Sequence, residues 1–128
     1  MKKYNLILDD YRSQLDVWQI LREPVLLENG WAIAKSHGEF VDKVTEMYDG
    51  GYFPSVVCFD HDLVDEHYKY LVNPIPYHLF TVPTGWHSAK WFLAFCEEKG
   101  VRPNHIFVHT MNPAGKQNIV SVLAPLVN

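Results

Sequence analysis

Cysteine is scarce in this 128-residue chain: there are two, Cys58 and Cys96, each inside an apolar run. Two isolated thiols exclude a disulfide framework or a zinc knuckle, and both read as buried free thiols of a reducing compartment. Long apolar runs are missing as well. The start, MKKYNLILDD, carries two lysines, but its apolar stretch is too short for a signal peptide or a membrane span. A cytoplasmic location without a membrane partner is therefore expected. Positive charge is in deficit, with 11 Lys and Arg against 15 Asp and Glu, a net −4. That balance excludes a broad, nonspecific nucleic-acid surface, though not a small local site for one phosphate. Internal repeats and low-complexity tracts are absent too. The length suits one domain, 1–128, large enough to bury a core without covalent staples.

What the chain does have is apolar and aromatic character, 48% and 14% of residues. It falls into alternating short segments. YNLILDD reads as a first strand, and SQLDVWQIL as a helix with Leu15, Trp18 and Leu21 on one stripe. Pro24 ends or kinks that helix. Asn29-Gly30 marks a turn into a second strand, and HGEFVDKVTEMYDGG places Phe40, Val41, Val44, Met47 and Tyr48 on one helix face. SVVCFD is continuously apolar, as a strand covered on both faces should be. Residues 64–83 carry three prolines and no period, and read as a long irregular loop. TGWHSAKWFLAFCEEKG is a helix capped by Thr84, with Trp86, Ala89, Leu93 and Cys96 along one face. HIFVHT is a fourth strand, and the chain ends in a helix bearing Ile119, Val122 and Leu123. Strand–helix alternation of this kind implies an α/β fold with a parallel sheet and helices on both faces.

In such a sheet, ligands bind beyond the carboxyl ends of the strands. Those ends are where the ionisable residues collect. Strand one ends in Asp9 and Asp10, with Arg12 just after. Strand two ends in Ser36 and His37. Strand three ends in Asp60, His61 and Asp62, and strand four in His109, followed by Asn112, Gly115 and Lys116. Taken singly, each has a simpler reading: Asp-Asp as a helix cap, a lone histidine as a structural hydrogen-bonding residue, Asn-Pro-x-Gly as a turn. Their coincidence at one rim points to a site. Asp9, Asp10 and Asp60 together would repel one another. They call for a divalent metal, for Arg12 and Lys116 as compensation, or for a raised carboxyl pKa.

Four motifs in order, LILDDYR, CFDHDL, TGWHSAKW and VHTMNPAGKQNI, resemble those of the cyclic-phosphate-processing receiver domains of bacteria and phages. The likeness runs over residues 6–119. Thr110 stands where serine is usual, Lys116 where arginine is, and His87 in place of another polar residue; the 64–83 loop is longer than usual. The resemblance implies a receiver-like (flavodoxin-like) three-layer sandwich. The sequence itself shows no fifth parallel strand after His109, so four strands in the order 2-1-3-4 are expected, with residues 119–127 outside the sheet. It implies that Asp9, Asp10 and Asp60 hold Mg2+ or Mn2+. It further implies that His61 and His109 process a cyclic phosphate, borne by a small ligand or an RNA end.

Hydrolysis of a cyclic phosphodiester needs a base for water and an acid for the leaving alkoxide, and two histidines suit both tasks. On this reading His61 and His109 flank the phosphorus, and Asp60 or Asp62 orients an imidazole. Arg12 and Lys116 hold the nonbridging oxygens, with Thr84 and Asn112 completing the substrate-binding set. The last helix offers its N-terminus to the same anion, and Trp86 or Tyr68 stacks a base. Both histidines are expected to face solvent or ligand, so that removing either leaves no core cavity. Two alternatives stand beside this. One is a non-catalytic phosphate- or partner-binding module. The other is a metal-dependent phosphoesterase or nuclease with Asp60, His61 and His109 as direct ligands.

Overall fold

Four parallel strands form one sheet: β1 (Lys2–Leu8), β2 (Trp31–Ala34), β3 (Tyr52–Phe59) and β4 (His105–Val108), in the order β2-β1-β3-β4. The structure, a computed structural model, describes residues 1–69 and 72–127. Between and after the strands run α1 (Gln14–Leu21), α2 (His37–Asp49), α3 (Gly85–Lys99) and α4 (Pro113–Leu123). The expected strand order is the one found. Residues 119–126 finish α4 and a short 3-10 turn, so no fifth strand follows β4 among the described residues.

Each helix begins where a short polar side chain can satisfy its free N–H groups. Ser13, Ser36, Thr84 and Asn112 accept from the backbone of Asp16, Glu39, Trp86 and Gly115 respectively. The strands alternate faces, and the two faces differ in thickness. Leu6, Leu8, Val57, Phe59 and Val108 point to one side, where Phe40 and Val44 of α2, Phe92 and Phe95 of α3, and Ile119 and Leu123 of α4 cover them. Ile7, Val56 and Cys58 point to the other, covered by Val17 of α1 and by Leu26. Three helices thus share one face and one helix serves the opposite face.

Two details depart from the pattern read in the sequence. The buried residue of α1 is Val17, whereas Leu15 is 55% exposed. Trp18 and Leu21 do pack, half-buried, against the small Ile7–Val56–Cys58 surface beside Val17, and only Leu15 falls outside that contact. On α3 the buried face runs through Ala89, Phe92, Phe95 and Cys96, because the helix lies between α2 and α4 and must satisfy both. Cys58 and Cys96 are buried free thiols, as expected.

The segment after β3 is irregular yet anchored. It forms short 3-10 turns at Asp65–Tyr68 and Tyr77–Leu79; positions 70 and 71 lie outside the described residues. His67 Nδ1 accepts from the Leu63 N–H (2.9 Å), and its Nε2 lies 2.7 Å from the Val82 carbonyl. The Glu66 carboxylate accepts from the N–H groups of Thr81 and Val82 and from the Thr81 hydroxyl. These bonds hold the two ends of the segment together and deliver Tyr77 onto Trp86, ring centroids 4.1 Å apart.

Candidate active site

Strand register creates the site. Leu8 pairs with Phe59, and Phe59 with Val108. The ladder then continues by one step, with Asp9 N–H donating to Ala34, Asp60 N–H to Leu8 and His109 N–H to Phe59, each at 3.0 Å. Asp9, Asp60 and His109 therefore stand side by side at the carboxyl ends of three adjacent strands. β1 and β3 are also where the chain reverses its direction of travel across the sheet, the place where open α/β sheets form their clefts. One ligand atom from each of these three residues lies within 4.8 Å of the others.

The trio is tightly wired. Asp9 Oδ2 lies 2.8 Å from His109 Nε2 and accepts from Arg12 Nη1 at 3.1 Å, while Asp9 Oδ1 accepts from the N–H groups of Tyr11 and Arg12. Arg12 Nη1 also reaches Asp60 Oδ2 at 3.4 Å, so one guanidinium bridges both carboxylates. Burial works against ionised Asp9, but the His109 hydrogen bond and the two backbone donors outweigh it and hold the carboxyl down to about 2. Asp60 goes the other way. Burial, and after it the charge on Asp9, push it up to about 6. Two neighbouring carboxyls with environments that drive them apart is the arrangement that separates an acid from a permanent anion.

The raised Asp60 makes a stability prediction. Its folded pKa lies above the ordinary aspartate value of 3.8, so between the two the folded protein binds the proton more tightly than the unfolded chain. Stability from this group is lost as pH rises from about 4 to about 6. Asp60→Asn in EDTA at pH 7.5 is expected to gain roughly 2 kcal/mol, about 5–10 °C in Tm, with the gain shrinking toward pH 4. Equal melting temperatures at both pH values would contradict the raised carboxyl.

Next along the chain, His61 points to the opposite face of the sheet from Asp60, as strand alternation requires. Its ring lies against Gly115 of α4, where an added Cβ would sit 2.5 Å from the His61 Cγ. His61 Nδ1 is 2.7 Å from Asp62 Oδ1 and Nε2 is 2.9 Å from the Tyr77 hydroxyl, which accepts from Asn118 Nδ2 at 2.9 Å. Asp62 returns to the Asp60 side, with Oδ2 3.4 Å from Asn112 Nδ2.

A cleft of about 330 Å³ opens above these groups, lined by Tyr11, Arg12, Asp60, Asp62, Tyr68, Thr110, Met111 and Asn112. A larger hollow of about 450 Å³ beside it, between Val72 and Gln117, is lined without a titratable side chain among the described residues, so the chemistry belongs to the smaller cleft. Neither His61 nor His109 lines the cleft. Both are 1% exposed, which corrects the expectation that they face solvent or ligand and can be removed without a cavity. The physical reason is parity: His61 follows β3 by two residues and His109 follows β4 by one, so they leave the sheet on opposite faces. Each imidazole stands behind a carboxylate.

The remaining sequence-derived residues fall as follows. Arg12 and Asn112 line the cleft. Thr84 is fully buried, its hydroxyl accepting from the Trp86 N–H and lying 3.0 Å from His87 Nδ1. Lys116 is exposed in the first turn of α4 and is not among the lining residues. Trp86 is stacked on Tyr77, whereas Tyr68 lines the cleft and is 44% exposed. Asp10 stands apart from the Asp9–Asp60–His109 trio, yet its Oδ1 is buried without a hydrogen-bond partner among the described residues. Tyr77 escaped sequence reasoning, and Thr110 and Asn118, both inside the VHTMNPAGKQNI motif, had no role assigned there. Tyr77 sits in an aperiodic segment, and nothing local marks it.

These donors fit a divalent cation. Two carboxylates with an imidazole close by suit Mn2+ or Mg2+; Arg12 meanwhile supplies one positive charge to the same carboxylates.

No helix among the described residues is long and apolar enough to cross a membrane. No curated protein and no solved structure matches this chain. A family model does, that of the cyclic-phosphate processing receiver domain, over residues 4–125. The four-stranded sheet in receiver order, its acidic ends on β1 and β3 and this near-complete match agree: the chain belongs to the cyclic-phosphate processing receiver domain family.

Proposed function

We propose that this cleft hydrolyses a cyclic phosphodiester, the 2′,3′-cyclic phosphate of a nucleotide or RNA end. The observation that carries the reading is the pair of carboxyls, Asp60 and Asp62, lining one cleft with Arg12, in a chain of this family. Water forms the new P–O bond and one ring P–O bond breaks. The water gives up a proton and the departing ring oxygen gains one. Asp62, held by His61 and Asn112, is the base. Asp60, raised to about 6, is the acid, since a group titrating near the working pH serves proton transfer best. Arg12 carries charge on the nonbridging oxygens, assisted by the N-terminus of α4. His109 keeps Asp9 ionised and in place. Exposed Tyr11 and Tyr68, at 65% and 44%, offer faces on which a base can stack.

A metal-assisted version has its own support in the Asp9–Asp60–His109 grouping. There Asp9, Asp60 and either Asp10 or His109 would hold the ion, whose contribution is to polarise the phosphoryl oxygens. The test is turnover of uridine and adenosine 2′,3′-cyclic phosphates and of a cyclic-phosphate RNA end, in EDTA and with added Mn2+ or Mg2+. Activity that survives EDTA supports the carboxyl pair, and activity restored only by the ion supports the metal version. The absence of turnover under all conditions, with the cyclic nucleotide still bound, would leave a binding module.

A further inference from the structure

We propose that Tyr77 is a positioning residue of this site: together with Asn118 it sets the tautomer of His61, and through it the orientation of the Asp62 carboxylate. The inference rests on the reading of the cleft only for its effect on rate. Its starting point is the polarity of a buried chain of hydrogen bonds. Asn118 Nδ2 donates to the Tyr77 oxygen at 2.9 Å. The hydroxyl oxygen is thus an acceptor on that side, and its single hydrogen is free for its other neighbour, His61 Nε2, also at 2.9 Å. Nδ1 faces the Asp62 carboxylate, which when ionised can only accept, so neutral His61 bears its proton on Nδ1 and its Nε2 accepts from Tyr77. That N–H donates to Asp62 Oδ1 at 2.7 Å. Asn118, Tyr77 and His61 therefore all donate in one direction, and the chain ends on the carboxylate that lines the cleft.

The surroundings leave this chain little freedom. The His61 ring is 1% exposed and pressed on the bare α-carbon of Gly115. The Tyr77 ring is stacked on Trp86 at an interplanar angle of 14°. With Oδ1 committed to His61, the other Asp62 oxygen has, among the described residues, only the 3.4 Å contact with Asn112 and retains lone pairs for the cleft. Reversing the tautomer would set the bare Nδ1 lone pair against the carboxylate and turn Asp62 away. Tyr77 comes from the segment between β3 and α3, so a part of the chain remote from the strand ends controls a group at the reaction centre.

The experiment compares the full chain with Tyr77→Phe at one neutral pH. Nitrogen-15 correlation spectra of the imidazoles report the tautomer directly, with His61 assigned by its loss in His61→Gln. The wild type is expected to show Nδ1–H, and Tyr77→Phe a mixture of tautomers. Turnover of uridine 2′,3′-cyclic phosphate should fall in kcat by about tenfold to a hundredfold with KM unchanged, since Tyr77 does not line the cleft. A wild-type Nε2–H tautomer, or a Tyr77→Phe protein with the same tautomer and the same kcat, overturns the inference. A wild type that neither binds nor opens the cyclic nucleotide, with the tautomer change intact, overturns the reading of the cleft and supports control of His61 by Tyr77.

Discussion

Gly85→Ala is expected to abolish folding or to cost at least about 4 kcal/mol, a large part of what a domain of this size has. A Cβ built on Gly85 falls 1.7 Å from the Asp60 carbonyl oxygen and 2.8 Å from its carbon. Both are backbone atoms at the end of β3, and neither can rotate aside. The contact is this close because the Gly85 N–H donates to the His61 carbonyl at 2.8 Å, which pins the start of α3 to the chain leaving β3. Glycine here is a matter of approach and not of backbone angle. Circular dichroism melting of Gly85→Ala decides it: a Tm within a few degrees of wild type would show that α3 can shift without loss. Gly115→Ala is the milder comparison, since its Cβ meets a side chain, the His61 ring. That variant should fold with a displaced imidazole.

Asp62→Asn should lose a hundredfold to ten-thousandfold in the rate of cyclic-phosphate opening, the span expected when a positioned base is removed. The substitution is nearly isosteric. An asparagine Oδ1 still accepts from His61 Nδ1, so the buried chain behind it keeps its donor order and the fold is retained. His109→Ala is a less clean probe. It opens a cavity under a buried ring and strips Asp9 of one partner, leaving Arg12 and the Tyr11 N–H to hold that carboxylate. Stopped assays of Asp62→Asn beside a melting curve separate chemistry from stability. A folded Asp62→Asn protein with wild-type kcat would remove Asp62 from the reaction and return attention to the metal version.

The sequence by itself determined the architecture and the rim. Apolar runs with turn residues between them define β1 through β4, and alternation with helical periods leaves little besides a parallel α/β sheet. Because every strand ends in polar residues, Asp9, Asp60 and His109 were legible as neighbours before any coordinate. Only tertiary structure decided which way the side chains face. Whether Asp60 or His61 enters the cleft depends on how many residues each stands beyond the last paired position of β3, and that position is set by pairing with β1 and β4. One residue of offset sends His61 to the α4 face and His109 to the α1 face. The same holds for α1, whose buried residue follows from the small surface it meets. It holds most for Tyr77, which no local pattern marks. Its place at His61 comes from long-range contacts, the His67 and Glu66 anchors at the ends of its loop and the stack on Trp86. Such contacts join residues far apart in the chain, and no local periodicity encodes them.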